Sequence, residues 1–155
     1  MSRILEQNSN WLAPHPSGGE VFGQVPVLPL LEQPSGPIYL RAGNHFVRNG
    51  MPGGYGIRHI WSGKQALLYS RGIFQPEGVP AYLANLISIG APLFHDFTHR
   101  TASKKRITLL QTRDGTVVLE PRQERELGFQ YQIVTWTPRI RAKGILVGTV
   151  TKCPR

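Results

Sequence analysis

Apolar and polar residues alternate along the C-terminal half of the chain, which is typical of half-buried β-strands. Two such runs, RITLLQT and TVVLEP, flank Arg113-Asp114-Gly115, and an Asp-Gly pair in this position favours a β-hairpin. The run FQYQIVTWT comes next, and its alternation places Thr135 on the face opposite to Trp136. With ILVGTVTK as a fourth strand, the pattern predicts an antiparallel meander of four short strands.

Helical periodicity occurs upstream of these strands. Ile57, Ile60 and Trp61 recur at the spacing of one helix face, which predicts a helix that begins near Tyr55. A second apolar stripe predicts a helix from Glu77 to Ile89. Helices that precede strands predict an α+β fold, with N-terminal helices packed on a C-terminal four-stranded antiparallel β-sheet.

The first 37 residues have a different character. A short helix is predicted over residues 4–12, and six prolines then interrupt any regular element between Pro14 and Pro37. This composition predicts an extended arm or linker whose aliphatic residues need cover from the globular part. We therefore divide the chain into residues 1–37, a short helix with a proline-rich arm, and a globular domain of residues 38–155.

The charge of the chain is strongly positive and unevenly distributed. Its 18 Lys and Arg residues against 9 Asp and Glu residues give a formal net charge of +9. No acidic residue lies between Glu32 and Glu77 or after Glu126, although both stretches contain several cations. A solvated surface usually mixes both signs, so the pattern favours a surface for a polyanion such as a nucleic acid. Charge that serves solubility alone is the alternative.

The remaining composition excludes several classes of protein. Cys153 is the only cysteine, which excludes an internal disulfide and a cysteine-rich zinc site. No apolar run reaches the length of a membrane span, and the start MSRILEQNSNW lacks the apolar core of a signal peptide. We expect a protein that has no membrane partner. It is either cytoplasmic or delivered to the cytoplasm of a target bacterial cell as part of a larger secreted protein.

The segment GNHFVRNGMPGGYGIRHIWSGK combines histidines, cations and six glycines with no acidic residue. If Ile57 and Ile60 face the core, His59 points away from it, and its ordinary pKa suits general acid–base catalysis. An ordinary surface histidine is the alternative for His59. The glycines allow the backbone to fold sharply, so His45 is expected to return beside His59.

Two histidines without a carboxylate suit metal-independent cleavage of RNA. One histidine would take the proton of the 2′-hydroxyl and the other would protonate the leaving 5′-oxygen, and the order of these roles stays open. Lys64, Arg48 or Arg58 would stabilise the charge on phosphorus. The hydroxyl of Thr135 would hold a phosphate oxygen, with Thr137 as a further substrate contact. We expect no cofactor and no metal, because metal-dependent phosphodiesterases need carboxylate ligands.

Two other segments carry candidate chemistry. HDFTH places His95 and His99 at the spacing of one helix face with Asp96 nearby, so a zinc site is an alternative to a plain polar loop. The pattern lacks a further ligand at a familiar spacing. TASKKR contains Lys104 and Lys105, which we predict to contact phosphate, and a solvated entry to the next strand is the alternative.

The order of these motifs resembles a known group of nucleases. IYLRAGNHFVRNGMPGGYGIRHIWSGK contains a glycine-flanked histidine, a Gly-aromatic-Gly turn and His-Ile-Trp closed by a basic residue. VPAYLANLISIG, the strand pair RITLLQTRDGTVVLEP and YQIVTWT follow. This order is similar to the barnase/EndoU/colicin-like (BECR) nuclease superfamily, especially its phage-associated and polymorphic-toxin branches, which include contact-dependent growth-inhibition toxins. The resemblance covers about residues 38–137.

The resemblance implies that residues 38–155 form a ribonuclease-like domain of BECR-like fold. It implies an RNA-cleaving toxin, often aimed at tRNA, that needs no metal and is restrained by a dedicated and acidic immunity protein. His59 matches the helix-borne histidine of the family, His45 the upstream histidine, and Thr135 the hydroxyl on the late strand. Lys64 matches a basic position where relatives often have histidine, so we expect it to stabilise charge more readily than to act as a base.

Two other functions stay open at this point. The same basic surface would suit a non-catalytic nucleic-acid-binding module, which binds in a salt-sensitive manner without cleavage. It would also suit a phage- or toxin-associated protein-interaction domain that docks an acidic partner. RNA cleavage that persists in EDTA separates the first function from both of these.

Overall fold

The computed structural model describes residues 3–153, which form a mostly β structure. Within this part, four short 3-10 helices lie between the main elements, at Ile4–Glu6, Pro29–Leu31, Pro76–Gly78 and Ala102–Lys104. The main elements, in chain order, are β1 (Gly23–Val25), β2 (Gly36–Tyr39), β3 (Asn44–Arg48), β4 (Met51–Tyr55), α1 (Gly56–Ser70), α2 (Val79–Leu86), β5 (Pro92–His95), β6 (Ile107–Gln111), β7 (Gly115–Glu124), β8 (Gly128–Thr137) and β9 (Ile145–Thr149).

Seven of the strands form one mixed and strongly curled sheet. Its order is β1-β2-β8-β7-β6-β5-β9, in which β2 and β8 run parallel and the other neighbours run antiparallel. The sheet curls so far that the chain beyond β9 returns to β1, where the N–H of Thr151 donates to the carbonyl of Gln24 at 2.8 Å. The strands β3 and β4 form a separate two-stranded sheet.

This architecture shows that the predicted fold class was wrong. We predicted N-terminal helices packed on a C-terminal four-stranded antiparallel sheet, as in an α+β BECR-like fold. In residues 3–153 there are instead seven strands in the main sheet and two in a hairpin, and the two α-helices lie between strands along the chain. The four predicted strands exist as β6 to β9. Of these, β6, β7 and β8 form a three-stranded antiparallel meander. However, β9 does not pair with β8; it pairs with β5 at the far edge, so the predicted four-stranded meander does not exist.

The proline-rich N-terminal segment supplies two strands of the main sheet. It contributes β1 and half of β2, and its Val25 and Leu28 are fully buried. The short helix predicted for residues 4–12 is reduced to the 3-10 turn Ile4–Glu6, in which Ile4 is buried. Burial of the aliphatic residues explains the difference, because each stabilises the fold by about 1.5–3 kcal/mol only when it is packed in the core.

A bulge in β8 decides which of its side chains enter the core. The pairing of β8 with β7 skips Val134, which is an extra residue between Ile133 and Thr135. A bulge shifts the alternation of side chains by one position. Trp136 therefore lies in the core together with Ile133, whereas simple alternation had placed these two on opposite faces. Thr135 is only half-buried.

The two α-helices add apolar side chains to the same core. Ile57 and Ile60 of α1 and Leu83 of α2 are almost fully buried, and α1 contacts β8 directly. The start of α1 agrees with the predicted position near Tyr55, and α2 is shorter than the predicted helix from Glu77 to Ile89. In residues 3–153, the helices are all too short or too polar to cross a lipid bilayer.

Candidate active site

Two histidine rings are in direct contact between the hairpin and α1. His45 lies on β3 and His59 lies near the start of α1, and both are half-buried. Their Nδ1 atoms are 3.0 Å apart, the ring centroids are 5.3 Å apart and the ring planes are tilted by 31°. Because an Nδ1···Nδ1 hydrogen bond needs one donor and one acceptor, the two rings share one proton in this contact.

A tight hairpin turn brings His45 to this position. The turn residues Asn49 and Gly50 have positive φ angles of 51° and 75°. Positive φ at both positions of a two-residue turn is typical of the type I′ hairpin, which prefers Asn-Gly. In the resulting register His45 lies opposite Gly54. The glycine-rich segment therefore forms a regular hairpin that presents one histidine.

Backbone hydrogen bonds tie the start of α1 to the chain just before the hairpin. The N–H of Ile57 donates to the carbonyl of Arg41 at 3.0 Å, and the N–H of Arg58 donates to the carbonyl of Ala42 at 2.9 Å. These bonds satisfy two of the backbone donors that a helix leaves free at its N-terminus. The segment that contains Arg41 and Ala42 continues directly into β3.

The two chain segments cross in close backbone contact at Gly43. Its φ is 75°, and a Cβ atom there would overlap the carbonyl oxygen of Tyr55. Only glycine combines this φ with so close an approach at low energetic cost. The crossing therefore fixes β3 against the start of α1, and with it the distance between His45 and His59.

The surroundings of His59 lower its pKa below the ordinary value. Burial has the largest effect because it disfavours the charged ring, and the positive charge of His45 follows. Lys64 and Arg106 act in the same direction, whereas a hydrogen bond with the backbone of Gly53 opposes them. The neutral form of His59 therefore persists to a lower pH than in an ordinary histidine, whose pKa is about 6.5.

Lys64 lies at a kink in α1, five residues after His59. Its φ of −132° and ψ of 21° are not helical, so the helix axis is interrupted there. In a straight helix five residues correspond to a rotation of about 140° around the axis, and the two side chains would not share a face. The positive charge of Lys64 nevertheless acts on the pKa of His59.

Arg58, which we predicted to contact phosphate, donates hydrogen bonds to backbone carbonyls in the structure. Its Nη1 donates to the carbonyl of Gly43 at 2.8 Å, and its Nη2 donates to the carbonyls of Leu5, at 2.9 Å, and Gln7. Hydrogen bonds from a charged group contribute about 1.5–3 kcal/mol each. The guanidinium thus ties the N-terminal turn to the chain that leads into the hairpin.

Two further predicted contacts are engaged away from the histidine pair. The guanidinium of Arg48 lies 4.9 Å from the ring centroid of Phe46. Because strand side chains alternate, positions 46 and 48 face the side of the hairpin opposite to His45. The Nζ atom of Lys105 donates to the carbonyl of Leu31 at 3.1 Å.

The remaining predicted contacts lie on the late strand and on a surface turn. Thr135 and Thr137 are half-buried on β8, which contacts both α1 and β4, the elements around the histidine pair. The hydroxyl of Thr135 donates to the carbonyl of Trp136 at 3.4 Å. Lys104 is exposed at the end of the 3-10 helix Ala102–Lys104.

Arg106 is a site residue that the sequence analysis did not single out. Its Nε donates to a carboxylate oxygen of Glu120 at 2.9 Å. The terminal guanidinium nitrogens make no hydrogen bond with any group in residues 3–153. Since its charge also acts on His59, Arg106 belongs to the electrostatic surroundings of the pair. The available signal was its place at the end of TASKKR, directly before β6.

The histidines of HDFTH have separate partners. His95 is buried, and its Nδ1 donates to the carbonyl of Arg106 at 2.6 Å. The Nδ1 of His99 accepts a hydrogen bond from the N–H of Thr101 at 3.1 Å. Among residues 3–153, no three side chains of His, Cys, Asp or Glu are grouped so that they could hold a metal ion together.

Comparisons of the chain with protein-family models, with curated protein sequences and with solved structures find no significant match. The chemistry that the site can perform therefore follows from the positions, charges and hydrogen bonds of its own residues. The strongest of these features is the contact between His45 and His59.

Proposed function

We propose that this chain is a metal-independent endoribonuclease in which His45 and His59 transfer the protons. The observation that carries the proposal is the Nδ1···Nδ1 contact of 3.0 Å between two half-buried rings. The ion pairs within residues 3–153 involve neither ring, so no carboxylate of this part of the chain balances a charge on the pair. A phosphate group of the substrate would supply the negative charge.

The proposed reaction is an internal transesterification of RNA. The 2′-oxygen forms a bond to phosphorus while the bond from phosphorus to the 5′-oxygen breaks. His59, whose pKa is lowered, takes the proton of the 2′-hydroxyl. A proton then reaches the leaving 5′-oxygen from His45, because the Nδ1 contact allows the pair to pass a proton from one ring to the other. The pair ends with its original number of protons, and the products are a 2′,3′-cyclic phosphate and a 5′-hydroxyl.

Lys64 and Arg106 are the cations that we assign to the charge that develops on phosphorus. Both act electrostatically on His59, which supports a position near the reacting group. Removing one preorganised charge or donor of this kind commonly lowers kcat by roughly 10²–10³. Thr135 is the candidate for holding a phosphate oxygen, and we assign no substrate contact to Arg58, because backbone carbonyls occupy its guanidinium.

The biological setting of the proposal comes from the sequence resemblance and the charge. The resemblance supports a toxin role, tRNA as the target and a cognate immunity protein as the partner. The net charge of +9 suits both an RNA substrate and an acidic immunity protein. We propose delivery into the cytoplasm of a target bacterium as part of a larger secreted protein, with a cytoplasmic site of synthesis and action as the alternative. The BECR-like fold forms no part of the proposal.

The decisive experiment incubates the purified protein with total RNA or tRNA in EDTA and analyses the new 3′ ends. We expect cleavage that leaves a 2′,3′-cyclic phosphate and falls at least about 100-fold in His59→Ala and in His45→Ala. His15→Ala is the matched control, because His15 contacts Ser17 outside the site, and it should retain activity.

Three results would contradict the proposal. The first is intact RNA under all conditions. The second is cleavage that EDTA abolishes, and the third is cleavage that survives loss of both histidines. Salt-sensitive RNA binding without cleavage would support the non-catalytic alternative instead.

A further inference from the structure

Three segments that the proposed reaction leaves largely unused meet around the end of β5. They are HDFTH, which begins at the last residue of β5, TASKKR, which follows it, and the loop of residues 138–144 between β8 and β9. Together with parts of β5, β6 and β7 they line a cavity of about 260 Å³. Arg106, Arg139 and Lys143 contribute cationic side chains to this cavity. Basic segments that are far apart in sequence therefore converge on one place.

The cationic side chains lie on loops whose backbone is hydrogen-bonded to neighbouring residues. Buried His95 donates from Nδ1 to the carbonyl of Arg106, and the hydroxyl of Thr116 donates to the carbonyl of Arg139 at 2.7 Å. Gly144 has a φ of 92°, and a Cβ atom there would overlap the backbone of His95. The two loops are thus fixed to the sheet and to each other. Fixed loops lower the entropy cost of binding a ligand.

The charge balance of the cavity is positive. Glu120 pairs with Arg106 through Nε alone, and the terminal nitrogens of this guanidinium make no hydrogen bond within residues 3–153. Asp96 also lines the cavity, and two hydrogen bonds from Thr98 lower the pKa of its carboxyl. Asp96 therefore uses one carboxylate oxygen internally. Three cations and the single hydrogen-bonded carboxylate of Asp96 therefore line the cavity, and Glu120, which pairs with Arg106, is not part of the lining.

The size and walls of the cavity limit the ligand. Phe94 and Val118 form an apolar wall, and the hydroxyl of Thr108 beside them makes no hydrogen bond with residues 3–153. A volume of about 260 Å³ lies just below the ~300 Å³ at which pockets for drug-sized ligands begin. There is room for one phosphate with part of its nucleoside, and a double helix is excluded.

We propose that this cavity binds the phosphate of one nucleotide of the RNA chain, close to the nucleotide whose bond is cleaved. The proposal rests on the ribonuclease function proposed above, because it assigns the phosphate to the same substrate. Arg139 and Lys143 donate charge-assisted hydrogen bonds to the phosphate, and the nucleoside lies against the apolar wall. Arg106 connects the two sites, since it lines the cavity and also acts on His59.

The test measures binding separately from cleavage. Calorimetric titration of the whole protein with adenosine 5′-monophosphate should show binding, and titration with adenosine should show much weaker binding. The double variant Arg139→Gln/Lys143→Gln should weaken nucleotide binding by about tenfold or more, because it removes hydrogen bonds to a charged group. Arg113→Gln/Lys152→Gln is the matched control, since it removes two exposed cations outside the cavity.

A second arm uses a short RNA whose 2′-oxygens are methylated, so that it cannot be cleaved. We expect the cavity variant to weaken binding of this RNA as well. Equal binding of adenosine and its monophosphate, or equal losses in the cavity and control variants, would overturn the proposal. Loss for the free nucleotide alone would overturn the assignment to RNA. If these binding results hold while the wild-type protein cleaves no RNA, the cavity stands and the ribonuclease proposal fails.

Discussion

His59 is the residue whose pKa is most clearly lowered by burial and neighbouring charges together. Burial and three positive neighbours all disfavour its protonation, and a single backbone hydrogen bond favours it. A general base must be neutral at the working pH, so a lowered pKa suits the role that we assign to His59. The contribution of Lys64 is the easiest to isolate, because this side chain can lose its charge without disturbing the Nδ1 contact.

We predict that the ring of His59 titrates in the folded protein with a midpoint below 6.5. Lys64→Gln should raise this midpoint, because it removes one of several charges that disfavour protonation. Proton NMR of the imidazole Cε1–H signal as a function of pH measures both values. Lys104→Gln, a change at an exposed lysine, should leave the midpoint unchanged. A wild-type midpoint at or above 6.5 would contradict this account of the site.

Single residues also show which parts of the site a sequence can reveal. The closeness of His45 and His59 was predictable, because the glycine-rich segment between them is short and turns back on itself. The role of Arg58 was not predictable, since two of the carbonyls that it binds lie more than 50 positions away in the sequence. A cation gives no sequence signal of whether its partner will be a substrate phosphate or a backbone carbonyl.

At the scale of elements, the site depends on how the β3–β4 hairpin meets the start of α1. The first N–H groups of the helix donate to the carbonyls of residues 41 and 42. The next residue, Gly43, packs against the backbone of Tyr55, and β3 begins directly after it. Gly50 has the same φ of 75° as Gly43 but lies in the open turn, with no atom within 4 Å of a Cβ placed there. A comparison of alanine substitutions at these two glycines therefore separates the free-energy cost of the positive φ angle from the cost of the close backbone contact.

We predict that Gly50→Ala lowers the free energy of unfolding by roughly 1–2 kcal/mol, the cost of a left-handed alanine. Gly43→Ala should lower it by a further amount of about 1–3 kcal/mol, because the new methyl group forces the crossing segments apart. Urea denaturation followed by circular dichroism measures both. Gly43→Ala should also weaken the contact between the histidine rings. Equal losses of stability in the two variants would show that the crossing is not tight in solution.

Strong local signals predicted some elements correctly, and elements that depend on distant pairing were missed. The β6–β7 hairpin was predictable from Asp114-Gly115 between alternating runs, and α1 from its apolar stripe. The strands β1, β2 and β5 are three or four residues long and contain or adjoin prolines, so they carry no periodic pattern. The sequence also gives no signal of the bulge at Val134, since a bulge is defined by the pairing of β8 with β7 and not by the residues of β8 alone.

At the scale of the whole molecule, the N-terminal segment closes the curled sheet. Thr151 bonds to Gln24 across 127 positions of sequence, and Leu28 packs against the β9 region near Gly148. Phe22, Val25, Leu28 and Leu31 are all buried. Burial of one such side chain contributes about 1.5–3 kcal/mol. Loss of all four from the core would therefore remove a burial energy comparable to the net stability of an ordinary domain, which is about 5–15 kcal/mol.

We predict that a chain of residues 38–155 alone will not fold cooperatively, although it contains both histidines. It lacks β1 and half of β2, so the remaining half of β2 would lose its antiparallel partner and the core would be open on one side. Thermal unfolding followed by circular dichroism should show a cooperative transition for the whole chain and none for residues 38–155. Addition of a peptide of residues 1–37 should restore the transition.

Two point variants in the same segment make this test quantitative. Leu28 is fully buried, whereas Leu30 is 61% exposed two residues away. Leu28→Ala should lower the free energy of unfolding by about 2–5 kcal/mol, since it leaves a cavity in the core. Leu30→Ala should change it by less than about 0.5 kcal/mol. If residues 38–155 unfold cooperatively at the temperature of the whole chain and Leu28→Ala is neutral, the N-terminal segment is only a linker and the closed sheet is not required for folding.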